Sequence, residues 1–138
     1  MNKKRFFLSI GAYFVIGMIV AVVWHLVLFH EKYQAIGAFT RSEPIMAFGI
    51  IAMLLQGAVF GYFYPLFYRH VGGGSPIIRG MQFALFLGVT VWSVMVFATA
   101  AKFTIEPVLD FVLLGTAFQA IQYTVTGAAI GLIHGKEV

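Results

Sequence analysis

Four histidines are the side chains of this sequence best suited to bind a metal ion or a haem. His25 and His30 are five residues apart, whereas two ligands on one face of a helix are three or four apart. His70 and His134 follow other apolar runs, and neither is expected at the depth of His25, as a haem between facing helices requires. We therefore predict no metal site and no cofactor. The alternatives are a haem shared by two copies of His25 in a dimer, or a metal between His70 and His134.

Uncharged polar residues inside the apolar runs form a second candidate site. Such residues are costly in an apolar environment, so each is expected to have a reason. Hydrogen bonding between helices is the simpler reason, because buried amides need partners. The alternative is a small cavity that binds or passes a polar ligand, and the spacing does not decide between the two. The candidates, all expected at similar depth, are Gln56, Thr90, Ser93, Gln119 and Gln122.

Acidic residues lie near the ends of the apolar runs. Glu43 and Glu106 each precede a proline, so both are predicted to cap a helix, where a carboxylate meets the positive end of the helix dipole. Asp110 lies one turn further along the last run. We favour the same dipole interaction for Asp110. The alternative is a cleft with His25 that binds a cation or a proton.

The sequence contains no residue pattern of an enzyme. The absence of cysteine excludes disulfides, zinc–thiolate sites, iron–sulfur clusters and thiol catalysis. The run Gly72-Gly73-Gly74-Ser75 lacks the lysine that follows the glycines of a phosphate-binding loop, so it predicts a turn. We therefore predict a protein without catalytic activity.

These candidates lie in a chain that is too apolar for a water-soluble globule. Hydrophobic residues make up 61% of the sequence and charged residues 10%, and the mean hydropathy is +0.93. That leaves too little polar surface to cover a soluble domain. The net charge of +4 lies in short connections, where topology and anionic headgroups account for it. The composition predicts an integral protein of the lipid bilayer and no binding to nucleic acid.

Four apolar runs are long enough to cross a bilayer as helices. The first would rise about 36 Å, compared with about 30 Å of hydrocarbon. It is also longer than the apolar region of a cleaved signal peptide, which has about 7–15 residues. The 138 residues are therefore predicted to form one domain, an all-α integral membrane four-helix bundle that runs up-down-up-down. The predicted spans are about 6–29, 44–68, 76–101 and 107–133.

Basic residues predict the orientation of the bundle. Under the positive-inside rule, the short connections richer in Lys and Arg face the cytoplasm. An N-terminus inside puts six basic residues on the cytoplasmic side and three on the other, so both termini are predicted to be cytoplasmic. The six are Lys3, Lys4, Arg5, Arg69, Arg79 and Lys136, and the three are Lys32, Arg41 and Lys102.

Two features recur in the two halves of the chain. Trp24 and Trp92 are each followed five residues later by a phenylalanine. The second and fourth spans both follow a Glu-Pro step, and Gln56 and Gln119 stand thirteen residues after those glutamates. A duplicated two-helix hairpin explains both features. Chance similarity between apolar segments explains them equally well.

Glycines four residues apart predict faces where helices pack closely. Spacing of this kind lets two helix backbones approach in lipid. The sequence does not say whether these faces meet inside one chain or between subunits, so a homo-oligomer or a larger membrane complex is expected as the partner. The residues concerned are Gly57 and Gly61 in the second span and Gly127 and Gly131 in the fourth.

Several short motifs resemble those of a family of small, uncharacterised bacterial membrane proteins with four helices. The resemblance spans most of the chain. It implies four membrane helices and a bacterial inner (cytoplasmic) membrane, and it brings no activity or ligand with it. The motifs are Trp24-His25-Leu26-Val27-Leu28-Phe29 with Tyr33, Arg41-Ser42-Glu43-Pro44, Gln56-Gly57 and Tyr64-Pro65.

Two functions are compatible with these observations. The sequence favours a non-catalytic bundle that serves as an accessory or assembly subunit through helix packing. The alternative is a small transporter or channel for a polar solute or cation, with the glutamine layer as its site. Transporters usually bury an ionisable group near the middle of the membrane, and here only Asp110 and His25 come close.

Overall fold

The structure is a computed structural model in which residues 2–68, 70 and 73–135 are described. Within these residues the protein is all-helical, and four of its helices are long and apolar enough to cross a membrane. This pattern indicates a multi-pass membrane protein. Arg69, Lys136 and part of the predicted turn at 72–75 lie outside the described residues. The helices are α1 (Lys3–Val22), α2 (His30–Ala35), α3 (Met46–Phe67), α4 (Pro76–Trp92) and α5 (Val108–His134).

Helix α4 begins where the sequence predicts. Pro76 is its first residue, where the fixed φ of proline suits the helix and the missing N–H is not needed. The side chain of Ser75 accepts a hydrogen bond from the backbone N–H of Ile78 at 3.4 Å. This is an ordinary N-terminal cap.

Two other helices begin later than the sequence predicts. α3 follows Ile45, which is extended (φ −80°, ψ 90°), and α5 follows Pro107, which is extended as well (φ −75°, ψ 137°). The predicted caps at Glu43 and Glu106 are therefore wrong, since neither residue directly precedes a helix. At neither helix start does a capping side chain accept a hydrogen bond from a backbone N–H. The fixed φ of proline suits a first helical position, but it suits extended backbone equally well.

The connection between the first two spans contains the short helix α2, which the sequence analysis did not predict. Tyr33 of α2 is buried against Ile36, Ile105 and Phe111, and we call these four side chains the loop core. The loop core joins both long connections of the chain to the start of α5. A backbone hydrogen bond adds to it, since the N–H of Glu106 donates to the carbonyl of Ile36 at 3.0 Å.

Two of the long helices end in a turn of π-helix, Val23–Leu28 after α1 and Ser93–Ala98 after α4. Hydrogen bonds in a π-helix join residues five apart, and the N–H of Phe29 donates to the carbonyl of Trp24 at 3.0 Å. The same spacing brings side chains together. The ring centroids of this pair are 4.5 Å apart, and those of the equivalent tryptophan and phenylalanine after α4 are 4.8 Å apart. The pattern that recurs in the sequence thus corresponds to a recurring local structure.

Glycines occupy the closest contact between α1 and α3. α1 packs along both α3 and α5. A Cβ added to Gly57 would lie 3.1 Å from the Cα of Ile10, and one added to Gly61 would lie 2.8 Å from the Cβ of Ser9. Any larger residue at these positions would push the two helices apart.

The contact between α4 and α5 is closer still. A Cβ added to Gly127 would lie 2.6 Å from the carbonyl oxygen of Gly80, and one added to Gly131 would overlap the carbonyl oxygen of Pro76. The faces that contain the four glycines singled out in the sequence therefore meet neighbouring helices of the same chain.

A second group of buried side chains fills the half of the bundle away from the loop core. Its central rings stack, because the centroids of Phe60 and Tyr123 are 5.7 Å apart with an interplanar angle of 6°. Large apolar side chains are exposed on the outer faces of all four long helices, as expected where helices meet lipid. We call the buried group the tyrosine core. It consists of Tyr13, Met53, Phe60, Tyr64, Tyr68, Phe83, Ala84, Tyr123 and Ile130.

Candidate functional site

A cavity of about 360 Å³ lies beside the loop core, and we call it the loop-end cavity. Both π-helical turns line it, with His25 from the first and Val96 from the second. α5 contributes Phe118 and Gln119, and the connection after α2 contributes Phe39. Turns of π-helix inside α-helices are frequent at functional sites. The convergence of both turns on one cavity makes it the candidate site.

Gln119 is a polar residue of this cavity that has a side-chain atom without a hydrogen-bond partner. Its side chain is 8% exposed, and its Oε1 atom is buried without a hydrogen-bond partner. A buried acceptor left unpaired costs about 1–3 kcal/mol. A ligand or a water in the cavity that donated a hydrogen bond to this oxygen would recover that cost.

His25 also lines this cavity and has a second hydrogen-bond acceptor. Its Nδ1 lies 3.1 Å from the carbonyl oxygen of Ala21. Because a carbonyl oxygen only accepts hydrogen bonds, Nδ1 must carry the proton, and Nε2 of the neutral ring is then an acceptor. The ring packs edge-on against Phe118, with centroids 4.3 Å apart. One hydrogen bond and contacts with the rings of Phe118, Tyr33 and Phe39 therefore fix the orientation of the His25 ring.

Aromatic side chains fix the wall of the cavity on the side of the connection. The rings of Tyr33 and Phe39 are stacked, with centroids 4.7 Å apart and an interplanar angle of 14°. The indole N–H of Trp24 donates to the hydroxyl oxygen of Tyr33 at 3.1 Å. Burial raises the pKa of the Tyr33 hydroxyl above its usual value, although the hydrogen bond from Trp24 acts in the opposite direction. The hydroxyl is therefore neutral at physiological pH.

The other two predicted glutamines lie in the tyrosine core and not in the cavity. The hydroxyl of Tyr13 donates to Oε1 of Gln56 at 2.7 Å. The side-chain N–H of Gln122 points to the sulfur of Met53 at 3.8 Å, and its Oε1 has no partner. Gln56 and Gln122 thus form a polar group around Tyr13, separate from Gln119.

Thr90 and Ser93 do not join either group. Thr90 is exposed on the outer face of α4. The hydroxyl of Ser93 donates back to the carbonyl of Thr90 at 2.8 Å. Neither hydroxyl therefore takes part in a polar layer between helices.

Asp110 lies in the first turn of α5 and forms an ion pair with Lys32 of α2. Both side chains are partly exposed, at 32% and 49% respectively. Asp110 is not among the residues that line the loop-end cavity with His25. The geometry therefore gives Asp110 a surface partner and a place at the positive end of a helix.

A metal site has no support from the arrangement of donor side chains. Across residues 2–68, 70 and 73–135, no group of three or more His, Asp or Glu side chains is close enough to hold a metal ion. His134 instead lies with its Nε2 3.1 Å from the hydroxyl of Ser9, a contact that joins α5 to α1.

The sequence identified His25 and Gln119 but not the aromatic residues that surround them. Trp24, Tyr33 and Phe118 were not candidates. The signal that was present is the five-residue spacing between tryptophan and phenylalanine, which matches the hydrogen-bond spacing of a π-helix. This spacing indicates a π-helical turn at the ends of the first and third spans.

Comparison of the chain with protein-family models, with curated proteins and with solved structures finds no match in any of the three. The resemblance to small bacterial membrane proteins therefore stays a prediction. The function has to be argued from the geometry of the chain itself.

Proposed function

We propose that this chain is a non-catalytic, multi-pass protein of the bacterial inner membrane that binds a small molecule in the loop-end cavity. The observation that carries the proposal is that Gln119 lines the cavity while its Oε1 is buried without a hydrogen-bond partner. Nε2 of His25 is a second acceptor. Because both protein groups accept hydrogen bonds, a ligand that fits them has to donate hydrogen bonds. The surrounding rings favour a flat, apolar body. A phenol or another aromatic molecule with an O–H or N–H group has both properties.

In the proposed orientation the bundle runs up-down-up-down with both termini in the cytoplasm, so the cavity faces the opposite side of the membrane. The basic residues at 3–5 support this orientation. The contacts between helices support the alternation. Gly61, late in α3, lies beside Ser9, early in α1, and Met53 lies beside Gly17, later in α1.

Binding agrees with the geometry better than transport. The tyrosine core lies between the cavity and the end of the bundle near the termini, and Tyr13, Tyr123 and Ile130 in it are each at most 2% exposed. A transporter of a polar solute or cation, the alternative, would have to open a path past these side chains. Gln56, one member of the glutamine layer, is paired with Tyr13, which agrees with a structural role.

An accessory or assembly role is the second candidate, and two other glycines favour it. A Cβ added to Gly11 of α1 or to Gly49 of α3 would meet no atom within 4 Å. Small residues on an outer helix face allow a helix of another chain to approach closely. The native mass of protein extracted gently from its membranes tests this role. A complex with other chains or a homo-oligomer supports it, and a monomer contradicts it.

Binding to the cavity is tested with two fluorescent probes that differ in one donor. They are 2-naphthol, which carries an O–H group, and 2-methoxynaphthalene, which does not. We expect protein in lipid nanodiscs to bind 2-naphthol about fivefold more tightly than the ether, with empty nanodiscs as the background, because one net hydrogen bond contributes about 1 kcal/mol.

The matched variants are Gln119→Leu and Gln56→Leu. Gln119→Leu is expected to lower the preference for 2-naphthol, because one of the two proposed acceptors is gone. Gln56→Leu is expected to keep the preference, because Gln56 does not line the cavity. An unchanged preference in Gln119→Leu would show that the proposal is wrong.

A further inference from the structure

A second cavity lies on the other side of His25 and Phe39 from the loop-end cavity, and both residues line both cavities. It is a groove of about 620 Å³ between the end of α1 and the start of α3, and we call it the lateral groove. Most of its wall is apolar. Met18 of α1 and Met46 and Met53 of α3 contribute flexible side chains that can adapt to an irregular hydrocarbon surface.

One end of the lateral groove is polar and positively charged. His30, Thr40 and Arg41 line this end. Nδ1 of His30 is buried and has no hydrogen-bond partner. No acidic residue is among the described residues that line the groove, so the charge of Arg41 is not neutralised from within it. α3 also begins here, after Ile45, and its start has no side-chain cap, which leaves the partial positive charge of a helix N-terminus.

We propose that the lateral groove binds an anionic phospholipid, with the phosphate at Arg41 and one acyl chain between Met18 and Met53. The positive end matches an anionic headgroup. The apolar wall matches the chain, because each buried methylene adds to the affinity. The groove lies at the outer surface of the bundle, where Phe48 is 69% exposed. A lipid can therefore enter it sideways from the bilayer.

A phospholipid accounts for more of the groove than a soluble phosphate compound does. A free phosphate would contact only the end at Arg41 and His30 and would leave the apolar wall uncovered. A neutral lipid would cover the wall but leave the charge of Arg41 unmatched. The lateral groove shares His25, Ala38, Phe39 and Thr40 with the loop-end cavity, but Arg41 and the groove's methionines line the groove alone, so the inference does not rest on the proposed function.

Native mass spectrometry of the full-length protein, delipidated in a nonionic detergent, tests the headgroup contact. The probes are phosphatidylglycerol and phosphatidylcholine with the same acyl chains. We expect one bound phosphatidylglycerol and an affinity about fivefold higher than for phosphatidylcholine, as one basic residue near a headgroup gives. Arg41→Gln should remove this preference. The control is Lys102→Gln, because Lys102 is a basic residue of the other connection and does not line the groove. This variant should keep the preference for phosphatidylglycerol. Equal loss in both variants would overturn the proposal.

A second pair of variants tests where the acyl chain binds. Gly49 lines the groove and Gly11 lies on the outer face of α1, and at both positions an added Cβ meets no atom within 4 Å. Gly49→Phe should therefore displace the bound lipid without a clash inside the protein, whereas Gly11→Phe should leave it bound. Retention of the lipid by Gly49→Phe contradicts the proposal. So does full displacement of phosphatidylglycerol by soluble glycerol 3-phosphate, which would identify a phosphate site without a chain.

Discussion

The two halves of this bundle differ in how their helices meet. In the half with the tyrosine core, glycines bring backbones into contact, and Ser9 and His134 form a polar contact between two helices. In the half with the loop core, π-helical turns and aromatic rings stand between the helices, and two cavities remain. Unpaired buried groups occur in both halves, since the hydroxyl of Tyr64 and Oε1 of Gln122 also lack partners. Among the described residues, Gln119 and His30 each combine an unpaired buried atom with a place on the wall of a cavity, Gln119 at the loop-end cavity and His30 at the lateral groove.

This difference has a physical reason. Helices in lipid gain little from hydrophobic burial against one another, so close packing and hydrogen bonds hold them together. The backbones approach closely where Gly127 meets Gly80 and where Gly57 meets Ile10. Hydrogen bonds between helices in the same half join Tyr13 to Gln56 and Ser9 to His134. A bundle fixed at one end tolerates looser packing at the other, where a binding site needs space. We therefore expect stability to depend on the glycine half and binding on the loop half.

The largest expected effect is the loss of the bundle on Gly127→Leu. A Cβ at this position would lie 2.6 Å from both the Cβ of Ala84 and the carbonyl oxygen of Gly80. The helices would have to separate, and we expect the free energy of unfolding to fall by about 3 kcal/mol. Reversible unfolding in mixed micelles of a nonionic detergent and dodecyl sulfate measures it. Gly49→Leu, where nothing lies within 4 Å, is the control and should change stability by less than about 1 kcal/mol.

A second prediction contrasts the same substitution in the two halves. Gln119→Leu removes an unpaired buried oxygen and fills part of a cavity, so we expect it to stabilise the bundle by about 1 kcal/mol while the preference for 2-naphthol is lowered. Gln56→Leu leaves the hydroxyl of Tyr13 without its acceptor, so we expect a loss of about 1 kcal/mol with binding unchanged. The same unfolding assay measures both. If both substitutions changed the free energy of unfolding in the same direction, the proposed difference between the two halves would be wrong.

The polar residues were expected at a common depth in the membrane, but the helix face on which each lies could not be predicted. Depth follows from position along an apolar run, so Gln119 and Thr90 were both expected near the middle of the membrane. Rotation about the helix axis needs a contrast between apolar and polar faces, and these helices are apolar on nearly all sides. Thr90 is therefore exposed while Gln119 is buried, and no sequence periodicity distinguished them.

The four spans were predictable because each is a long apolar run, and their boundaries were less so. Proline is compatible with both a helix start and extended backbone, so Pro76 begins a helix while Pro107 precedes one. The glycine motifs indicated close packing, but only coordinates place Gly57 against α1 and Gly127 against α4. The cavities form where the ends of the helices diverge, and that divergence depends on contacts between distant parts of the chain, which no short stretch of sequence reveals.

The smallest expected effect is that of Asp110→Asn, which removes the charge from the ion pair with Lys32. Both side chains are partly exposed, and exposed ion pairs contribute little because water and salt screen them. We expect a loss of less than about 0.5 kcal/mol of unfolding free energy, which shrinks further in high salt. Binding of 2-naphthol should be unchanged, since Asp110 does not line the loop-end cavity. A large loss of binding would instead support a cleft shared with His25, and the loop half would then use a charge and not only uncharged acceptors.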